Sequence, residues 1–319
     1  MSMFAGSSPR TETPGYDPGL TQKYTGVLKR IINKDGRFNV RHAGGTWRDS
    51  HPYLFLISTS WINFFLLIAA AFVLINTLFA GLYLAIGAEH IKNATDSTAL
   101  TTFLKVFFFS AHTLTTVGYG NMYPDGALAN TISALEALVG LMGFAIATGL
   151  MFGRFSKPSA RLGFSETMII APYMGGSSLQ FRVVNRRLNN LIDVEARMLL
   201  MTVESCQAGP ERKYRPLALE RPQIIFFPLP WTVVHPIRED SPLYGKTARD
   251  LQEMQAEILI IVKGFDETFG QPVHARSSYR YDEIVWGARF INAFDVGEDG
   301  DLVVSLDNIG VIQPVSQPQ

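Results

Sequence analysis

Two long apolar stretches dominate the pattern of hydrophobic and polar positions along the chain. The first runs from Ser50 to Ala88 without an Asp, Glu, Lys or Arg, and the second runs from Gly126 to Gly153 with Glu136 as its one charged residue. Each is longer than the roughly 20 apolar residues that a helix needs to cross a bilayer. The pattern therefore predicts two membrane-spanning helices. The alternative is a pair of helices buried in a protein core.

A shorter apolar stretch lies between the two spans, from Ala99 to Thr113. It is too short to cross a bilayer and too hydrophobic for a solvent-exposed loop, so it predicts a re-entrant helix. Ahead of the first span, aromatic and polar residues alternate irregularly from Trp47 to Leu56. This mixture predicts a short amphipathic helix on the inner membrane face, with a frayed start of the first span as the alternative.

After Pro158 the pattern changes to short β-branched and apolar runs separated by turn residues. Five such runs are Thr167–Ala171, Leu179–Val184, Ile224–Phe227, Ile258–Val262 and Leu302–Leu306. Short runs at this spacing predict an all-β sandwich. One helix interrupts the sandwich, with Thr247 as its N-cap and Asp250 three residues later, and it runs toward Gln255.

The distribution of charge predicts the orientation of the chain. Basic residues precede the first span and follow the second. The connector from Glu89 to Asp125 has only two Lys or Arg residues, Lys92 and Lys105. By the positive-inside rule both termini are cytoplasmic. The chain has 28 basic and 28 acidic residues, and this balance argues against nucleic-acid binding, which normally requires a basic excess. The single cysteine, Cys206, excludes an intrachain disulfide and fits a reducing compartment or a core position.

The five residues that follow the predicted re-entrant helix are Thr116, Val117, Gly118, Tyr119 and Gly120. A ring of backbone carbonyls can replace the water shell of K⁺, and the two glycines permit the backbone conformations that such a ring requires. The hydroxyl of Thr116 adds a ligand at the inner end, while the side chains of Val117 and Tyr119 are expected to point away. One chain supplies one strand of such a filter, so the geometry implies a homotetramer. The alternative is a turn with the same sequence.

Several further segments carry a resemblance to a known family. They are Thr115 before the filter, Arg154–Pro158, Phe181–Asn185, Asp240–Gly245 and Asp282–Gly287. With these segments the chain resembles the inward-rectifier potassium channels from Trp47 to about Phe294. The resemblance implies two spans, a pore loop and a cytoplasmic immunoglobulin-like sandwich. It implies no cofactor beyond the K⁺ ions in the filter, and the sequence has no nucleophile–base set or metal-ligand spacing that would indicate an enzyme.

Two departures from the eukaryotic members favour the bacterial branch of this family. Those members resemble one another in a disulfide across the pore loop, which a single cysteine cannot form. They also share a Glu–Arg pair behind the filter, and His112 and Met122 occupy those positions here. The expected location is therefore a bacterial inner membrane, which the chain crosses more than once.

The second span carries the predicted gate. Phe144, Thr148 and Phe152 are spaced by four residues, which keeps them near one face of a helix. The resemblance implies that this face lines the cavity and that Phe152 lies at the bundle crossing, where four such rings would exclude water and ions. Packing against lipid or another helix is the alternative. Strong rectifiers have an acidic residue where Phe144 stands, so internal Mg²⁺ or polyamines are expected to block weakly. Glu136 is expected behind the filter, not in the lumen.

Basic residues near the predicted headgroup level form the candidate lipid site. They are Arg48, Arg154, Lys157, Arg161 and Arg187, and clusters of this kind attract anionic phospholipids or phosphoinositides. Two further basic positions of the family are Ser159 and Ala160 here, which argues against strong phosphoinositide binding. Simple positive-inside anchoring is the alternative. Glu283 matches an acidic position that lines the cytoplasmic pore in the family.

Three segments are expected: a partly disordered cytoplasmic segment over 1–46, a pore domain over 47–157 and a cytoplasmic sandwich over 158–319. The predicted function is passive, selective K⁺ conduction through a homotetramer, gated at the inner-helix crossing and modulated by the sandwich and by anionic lipid. A poorly selective cation channel and a membrane-anchored ligand-sensing protein are the two rival functions.

Overall fold

The chain folds into two compact units, which a computed structural model describes for residues 16–24, 26, 30–41, 43–44, 51–156, 160–187, 189–206 and 209–315. The helical unit comprises residues 42–157, and the sandwich unit comprises residues 1–41 and 158–319. The segment boundaries expected from the sequence stay a prediction.

Four helices form the helical unit. They are α1 (Pro52–Ser58), α2 (Trp61–Ile86), α3 (Ala99–Leu114) and α4 (Ala127–Phe155). Two of them, α2 and α4, are long and apolar enough to cross a membrane, with mean hydropathy of 2.4 and 1.8 over 18 residues. The shorter α3 matches the expected re-entrant helix within one residue. A short helix is present from Pro52, where the interfacial helix is expected, and its location at the membrane face stays a prediction; residues 47–50 lie outside the described part of the chain.

Local capping fixes where these helices begin. The hydroxyl of Ser60 accepts a hydrogen bond from the Asn63 N–H at 3.2 Å, and Thr98 does the same for the Thr101 N–H at 3.2 Å. Each bond satisfies a backbone donor that has no partner inside the helix. Between the helices, β1 (Ile91–Lys92) pairs antiparallel with β2 (Tyr123–Pro124), and this pairing closes the connector on either side of α3.

Two five-stranded sheets form the sandwich unit. Its strands are β3 (Leu162–Phe164), β4 (Met168–Tyr173), β5 (Gly176–Asn185), β6 (Leu191–Cys206), β7 (Gly209–Leu217), β8 (Gln223–Phe226), β9 (Trp231–Ile237), β10 (Glu257–Asp266), β11 (Gln271–Arg280), β12 (Ile284–Trp286), β13 (Ala288–Phe290), β14 (Phe294–Val296), β15 (Leu302–Val304) and β16 (Ile312–Pro314). One sheet has the order β11-β10-β6-β7 with β8 on β6, and the other has the order β12-β4-β5-β3 with β9 on β5. Two small hairpin-like pairs, β13–β16 and β14–β15, lie outside them.

Apolar side chains from both sheets meet in one core. Leu179 and Phe181 of β5 are fully buried, as is Ile258 of β10, and all three belong to a single cluster. Alternate residues of β5 and β10 face this cluster, as expected where two sheets pack face to face. The predicted β-sandwich is therefore confirmed. The interrupting helix is also present as α5 (Ala248–Glu253), and Thr247 and Asp250 form its capping box.

Part of the N-terminal segment packs on the outer surface of the sandwich. Ile32 is buried with Met201, Tyr214 and Leu259 in a second cluster. The Ser278 hydroxyl donates to the Ile32 carbonyl at 2.5 Å, which ties this segment to β11. We call residues 30–39 the strap. The disorder expected at the very start of the chain concerns residues outside the described part.

Candidate ion-conduction site

The end of α3 holds the filter motif by backbone hydrogen bonds. The His112 carbonyl accepts from the Val117 N–H at 2.9 Å and from the Gly118 N–H at 3.3 Å. The Thr115 N–H donates to the Ala111 carbonyl at 3.1 Å, and its hydroxyl donates to the same oxygen at 2.7 Å. The filter strand therefore leaves α3 in a direction that the last helical turn determines.

Alternate residues of the motif adopt left-handed backbone conformations. The φ angles of Thr116, Gly118 and Gly120 are +59°, +54° and +79°, whereas Val117 and Tyr119 have negative φ. Alternation of this kind turns successive carbonyls toward the same side of the strand. Glycine accepts positive φ freely, but a β-branched residue such as Thr116 does so only under strain of about 1–3 kcal/mol. Such strain persists where the surroundings impose it, and it marks the motif as a candidate functional site.

The side chains of the motif are open to their surroundings in one chain. Val117 and Tyr119 are exposed, and the Tyr119 ring meets the His112 ring edge-on at 4.8 Å between centroids. The remaining positions of the motif are exposed as well. Both the assignment of these residues to a filter and the expectation that Val117 and Tyr119 pack away from a pore axis stay predictions.

The predicted gate face of α4 is uncovered along its length. Phe144 and Phe152 are 73% and 72% exposed, and Thr148 between them is exposed too. Eight residues of helix place the two phenylalanines about 12 Å apart along the axis. Large apolar side chains at this exposure require a cover that one chain does not supply, so the face is available to a pore, to lipid or to other copies.

The opposite situation holds on the side of α4 that meets α3. Glu136 is fully buried, and its carboxyl group accepts hydrogen bonds from the Tyr83 hydroxyl at 2.6 Å and from the Ser110 hydroxyl. The Ser110 hydroxyl also lies 3.0 Å from the Asn76 side-chain oxygen. Glu136 therefore lies against the helix that precedes the filter, as expected. Sequence reasoning did not identify its two partners or the Asn76 side chain beyond Ser110, although each is a polar residue in an apolar helix, which is itself a signal.

The candidate lipid-binding residues have different surroundings. Arg154 donates to the Leu56 carbonyl at 2.5 Å and to the Thr59 carbonyl at 2.8 Å, at the end of α1. Its guanidinium also lies over the ring of Trp61 at 4.4 Å. Arg161 is exposed and Arg187 is half-buried, whereas Arg48 and Lys157 lie outside the described residues. Lipid binding by this set stays a prediction, and the contacts of Arg154 reveal a second role at the helix end that sequence reasoning missed.

Glu283 is ion-paired within the sandwich unit. Its carboxylate contacts the Arg30 guanidinium and lies 3.4 Å from the Lys34 ammonium, both on the strap. Burial raises the pKa of Glu283, but the hydrogen bonds from Arg30 and from the Arg280 N–H outweigh burial and hold the pKa below its ordinary value. Its role in a cytoplasmic pore stays a prediction, and two cations already balance the charge it would contribute.

The described residues contain no group of three or more His, Cys, Asp or Glu side chains that could hold a metal ion. The backbone carbonyls of the motif are the candidate ion ligands, and this role stays a prediction. Carbonyl dipoles are the ligand type that K⁺ filters use.

Comparisons with known proteins agree with this geometry. The model of the inward rectifier potassium channel C-terminal domain matches residues 162–319, and a general ion channel model matches residues 60–157. The inward rectifier potassium channel Kirbac3.1 of Paramagnetospirillum magnetotacticum is 39% identical over 281 residues, which cover 87% of this chain and 93% of that protein. The chain belongs to the inward rectifier potassium channel family. This is a family of ion channels, not of enzymes, and the predicted bacterial branch is confirmed.

Eukaryotic inward rectifiers are more distant. G protein-activated inward rectifier potassium channel 1 of Homo sapiens is 29% identical over 92% of this chain and 63% of its own length. Channel 2 of Mus musculus is 28% identical over 91% of this chain and 73% of its own length. Family membership makes this chain a membrane channel, with α2 and α4 as its spanning helices. A solved structure of the sporulation control protein Spo0M of Bacillus subtilis is 14% identical, covers 44% of this chain and 60% of its own length, and has a TM-score of 0.24, too low to bear on the fold.

Proposed function

We propose that four copies of this chain form a pore that conducts K⁺ selectively and passively across a bacterial inner membrane. The observation that carries the proposal is the alternating backbone of Thr116–Gly120, with positive φ at every second residue, at the end of α3. Four such strands around an axis offer stacked rings of carbonyl oxygens that replace the water shell of the ion. The relatives are named as potassium channels, which supports the same ion here.

The filter works because its oxygens are fixed before the ion arrives. The His112 carbonyl anchors two successive N–H groups of the motif, so the strand does not need to reorganise when K⁺ enters. The Thr116 hydroxyl supplies a further oxygen at the inner end. Binding at several adjacent sites keeps each ion weakly enough held to leave, which conduction requires.

The gate is formed by Phe152 at the inner end of α4. Its exposed ring, on the same face as Phe144 and Thr148, fits a position where four copies converge. Four phenylalanines at a narrow neck exclude water and therefore ions. Internal Mg²⁺ and polyamines block only weakly, because Phe144 offers no negative charge in the cavity.

Lipid and orientation complete the proposal. Both termini are cytoplasmic, and the channel is a homotetramer modulated by its sandwich unit. Anionic phospholipids or phosphoinositides bind near Arg48, Arg154, Lys157, Arg161 and Arg187. Arg161 is the exposed member of the described set and is the first candidate for a direct headgroup contact. Arg154 is largely committed to carbonyls of its own chain.

Rubidium uptake into liposomes tests the proposal. Purified tetramer is reconstituted with and without anionic lipid, and uptake is measured against external K⁺ or Na⁺. Selective conduction predicts that K⁺ competes strongly and Na⁺ weakly. Equal competition would favour a poorly selective cation channel, and no uptake in any lipid would favour a membrane-anchored ligand-sensing protein. Arg161→Gln should reduce the response to anionic lipid but not the preference for K⁺ over Na⁺.

A further inference from the structure

A buried polar cluster joins the three longest helices of the helical unit at one point. Tyr83 and Asn76 come from α2, Ser110 comes from α3, and Glu136 comes from α4. All four side chains are fully buried. We call these four residues the polar brace. A carboxyl group, an amide and two hydroxyls among apolar helices are costly to bury unless they satisfy one another.

Hydrogen bonds link the four residues of the brace, with the single Ser110 proton facing two acceptors, the Glu136 carboxyl group and the Asn76 oxygen. The Glu136 carboxyl group accepts from the Tyr83 hydroxyl at one oxygen and from the Ser110 hydroxyl at the other. The Asn76 amide donates to the Phe72 carbonyl at 2.7 Å, which leaves its oxygen facing Ser110. Within the described residues, no Lys, Arg or His forms an ion pair with Glu136. Neutral donors alone therefore hold this carboxyl group, which makes its position sensitive to the loss of either hydroxyl.

The brace lies one helical turn before the end of α3, from which the filter motif follows. Ser110 precedes Leu114, the last residue of α3, by four residues, and Glu136 precedes Gly140 by four residues on α4. A Cβ atom at Gly140 would lie 1.9 Å from the Leu114 carbonyl oxygen. The two helices therefore touch twice, one turn apart, first through the Glu136–Ser110 hydrogen bond and then through direct backbone contact. Together these contacts fix both the distance between the helices and their register.

The position of α3 against α4 determines the position of the filter motif. The last turn of α3 contains His112, whose carbonyl anchors the Val117 and Gly118 N–H groups. A shift of α3 along α4 moves that carbonyl, and the filter strand moves with it. Selectivity depends on the positions and dipole strengths of the filter carbonyls, so a small displacement alters which ion is preferred.

We infer that Glu136 is a positioning residue for the selectivity filter, acting through Ser110 on α3 and held in turn by Tyr83. This inference rests on the proposed function of selective conduction. It differs from a purely structural role, because it places the effect of the brace on ion discrimination in assembled channels as well as on the yield of tetramer.

The first test compares two replacements of Glu136 in the full-length tetramer. Glu136→Gln keeps a side chain of the same shape that can accept from one hydroxyl and donate to the other, whereas Glu136→Met keeps the volume and removes both bonds. The readouts are the ratio of Rb⁺ to Na⁺ uptake and the Ba²⁺ concentration that halves Rb⁺ uptake. Ba²⁺ has nearly the radius of K⁺ and reports on the carbonyl sites. We expect the Gln variant to keep both values within about threefold of wild type and the Met variant to change both by about tenfold, the size of one or two lost hydrogen bonds.

The second test removes single hydroxyls, which keeps the inference falsifiable if the Met variant does not assemble. Tyr83→Phe and Ser110→Ala should each shift the uptake ratio and the Ba²⁺ sensitivity by a few fold. The variant that carries both substitutions should shift the two values about as far as Glu136→Met does. Tyr123→Phe, which removes a hydroxyl from an exposed tyrosine of the same unit, is the matched control and should change neither value.

Assembled Tyr83→Phe and Ser110→Ala channels with wild-type selectivity and wild-type Ba²⁺ sensitivity would overturn the inference. Loss of tetramer yield with unchanged selectivity in the surviving channels would also overturn it, because the brace would then serve assembly alone. A wild-type channel that does not discriminate Rb⁺ from Na⁺ would refute the proposed function instead. The Ba²⁺ sensitivities would still decide the inference in that case, since equal values in wild type and variants would refute it.

Discussion

The sandwich unit and the helical unit differ in how much of their structure a single chain completes. In the sandwich, Phe181 and Tyr279 are fully buried in a core that both sheets of the same chain enclose. In the helical unit, only 11% of the apolar window of α2 and 6% of that of α4 are buried. One chain therefore encloses the sandwich core, although some apolar side chains such as Phe226 stay exposed on its surface, whereas the spanning helices need lipid and other copies of the chain.

Because of this difference, substitutions in the two units should affect different properties. Contacts within the chain determine the stability of the sandwich, so core substitutions there should lower its free energy of unfolding. In the helical unit, one chain completes the junction of the filter motif with α3, the polar brace and a small apolar cluster that includes Val106 and Phe109. The exposed faces acquire their roles in the tetramer, so substitutions there should alter conduction while leaving the fold of the chain intact.

The largest expected effect is at Gly118. One chain determines the backbone conformation there, and the proposed pore repeats that conformation in four chains. A methyl group at this position meets no atom of its own chain, but φ of +54° costs an L-residue about 1–2 kcal/mol. In Gly118→Ala the strand relieves this strain by turning the carbonyl away, and the change is repeated four times around the pore. We expect Rb⁺ uptake to be abolished in tetramers that assemble normally, as judged by size-exclusion chromatography.

The matched control is Gly81→Ala on α2, where φ is helical and the space is also open. Alanine favours a helix there, so assembly and uptake should equal wild type. Selective, wild-type-like uptake by Gly118→Ala would contradict the assignment of this motif as the filter. It would also show that the junction of the motif with α3 does not determine conduction.

A smaller but clear effect is expected at the uncovered face of α4. Phe152→Ala should raise basal Rb⁺ uptake, because removing four rings from a narrow neck lets water and ions pass. The side chain has little cover in one chain, so its removal should leave the folding of the chain unchanged. If Phe152 faces lipid instead, basal uptake in the variant will equal wild type, and the four rings in a closed tetramer will lie farther from the axis than Thr148.

Block by internal cations tests the cavity position two turns above. Four carboxylates in Phe144→Asp would each contribute on the order of 1–3 kcal/mol to a nearby cation at an effective dielectric of ~20, before screening by solvent. The wild-type phenylalanines contribute little beyond cation–π contacts. We expect shallow polyamine block of wild-type currents in planar bilayers and much tighter block in the variant. Equal affinities would show that Phe144 does not line the cavity.

The sandwich core should respond in the opposite way. Phe181→Ala removes a fully buried ring between the sheets, and such changes cost about 3–5 kcal/mol of unfolding free energy. Hydrogen exchange of β5 and β10 in the assembled channel should accelerate accordingly. Phe152→Ala, the same chemical change at an exposed position, should leave this exchange unchanged. Equal effects of the two substitutions would contradict the distinction between the units.

The parts of this structure that the sequence predicts are those specified by local patterns. The apolar lengths of α2 and α4, the short α3 between them and the Thr247 capping box depend on neighbours within a few residues, and all are present. By contrast, β7 contains Arg212, Lys213 and Arg215, so no apolar run identifies it. It is a strand because β6, which precedes it directly in the sequence, pairs with it along its whole length, and the residue pattern of β7 alone does not encode that pairing.

The candidate site divides in the same way. The filter motif is predictable from five consecutive residues, but the strained φ of Thr116 is not, because the structure around it imposes that conformation. The polar brace needs three helices to meet, and the contact of Arg154 with the end of α1 joins residues about 100 positions apart. Polar residues in apolar helices indicate that partners exist, but only the packing of the helices decides which partners they are.

The smallest expected effect concerns the strap, where charged residues complete the sandwich unit. Glu283 pairs with Arg30 and Lys34, and its side chain is half-buried. Because the pKa of Glu283 lies below its ordinary value in the folded protein, its contribution to stability is present above pH 4.5 and is lost as the pH falls through the folded pKa. Glu283→Gln should therefore weaken the strap by about 1–2 kcal/mol near pH 7, the size expected of a partly buried pair. The difference from wild type should vanish at lower pH.

Measurements on wild type alone would not reveal this pH dependence. A second carboxyl group under the strap has a pKa shift of the opposite sign. Burial raises the pKa of Glu257, although both its oxygens accept from the Ile31 N–H at 3.2 Å. Its contribution therefore grows as the pH falls and offsets the loss at Glu283. Hydrogen exchange of residues 31–39, compared between wild type and Glu283→Gln at pH 7 and below pH 4.5, isolates the Glu283 contribution. Glu239→Gln, at an exposed position, is the control. A difference between wild type and Glu283→Gln that stays constant across this pH range would show that the strap is held by Ile32 and its apolar neighbours and not by charge.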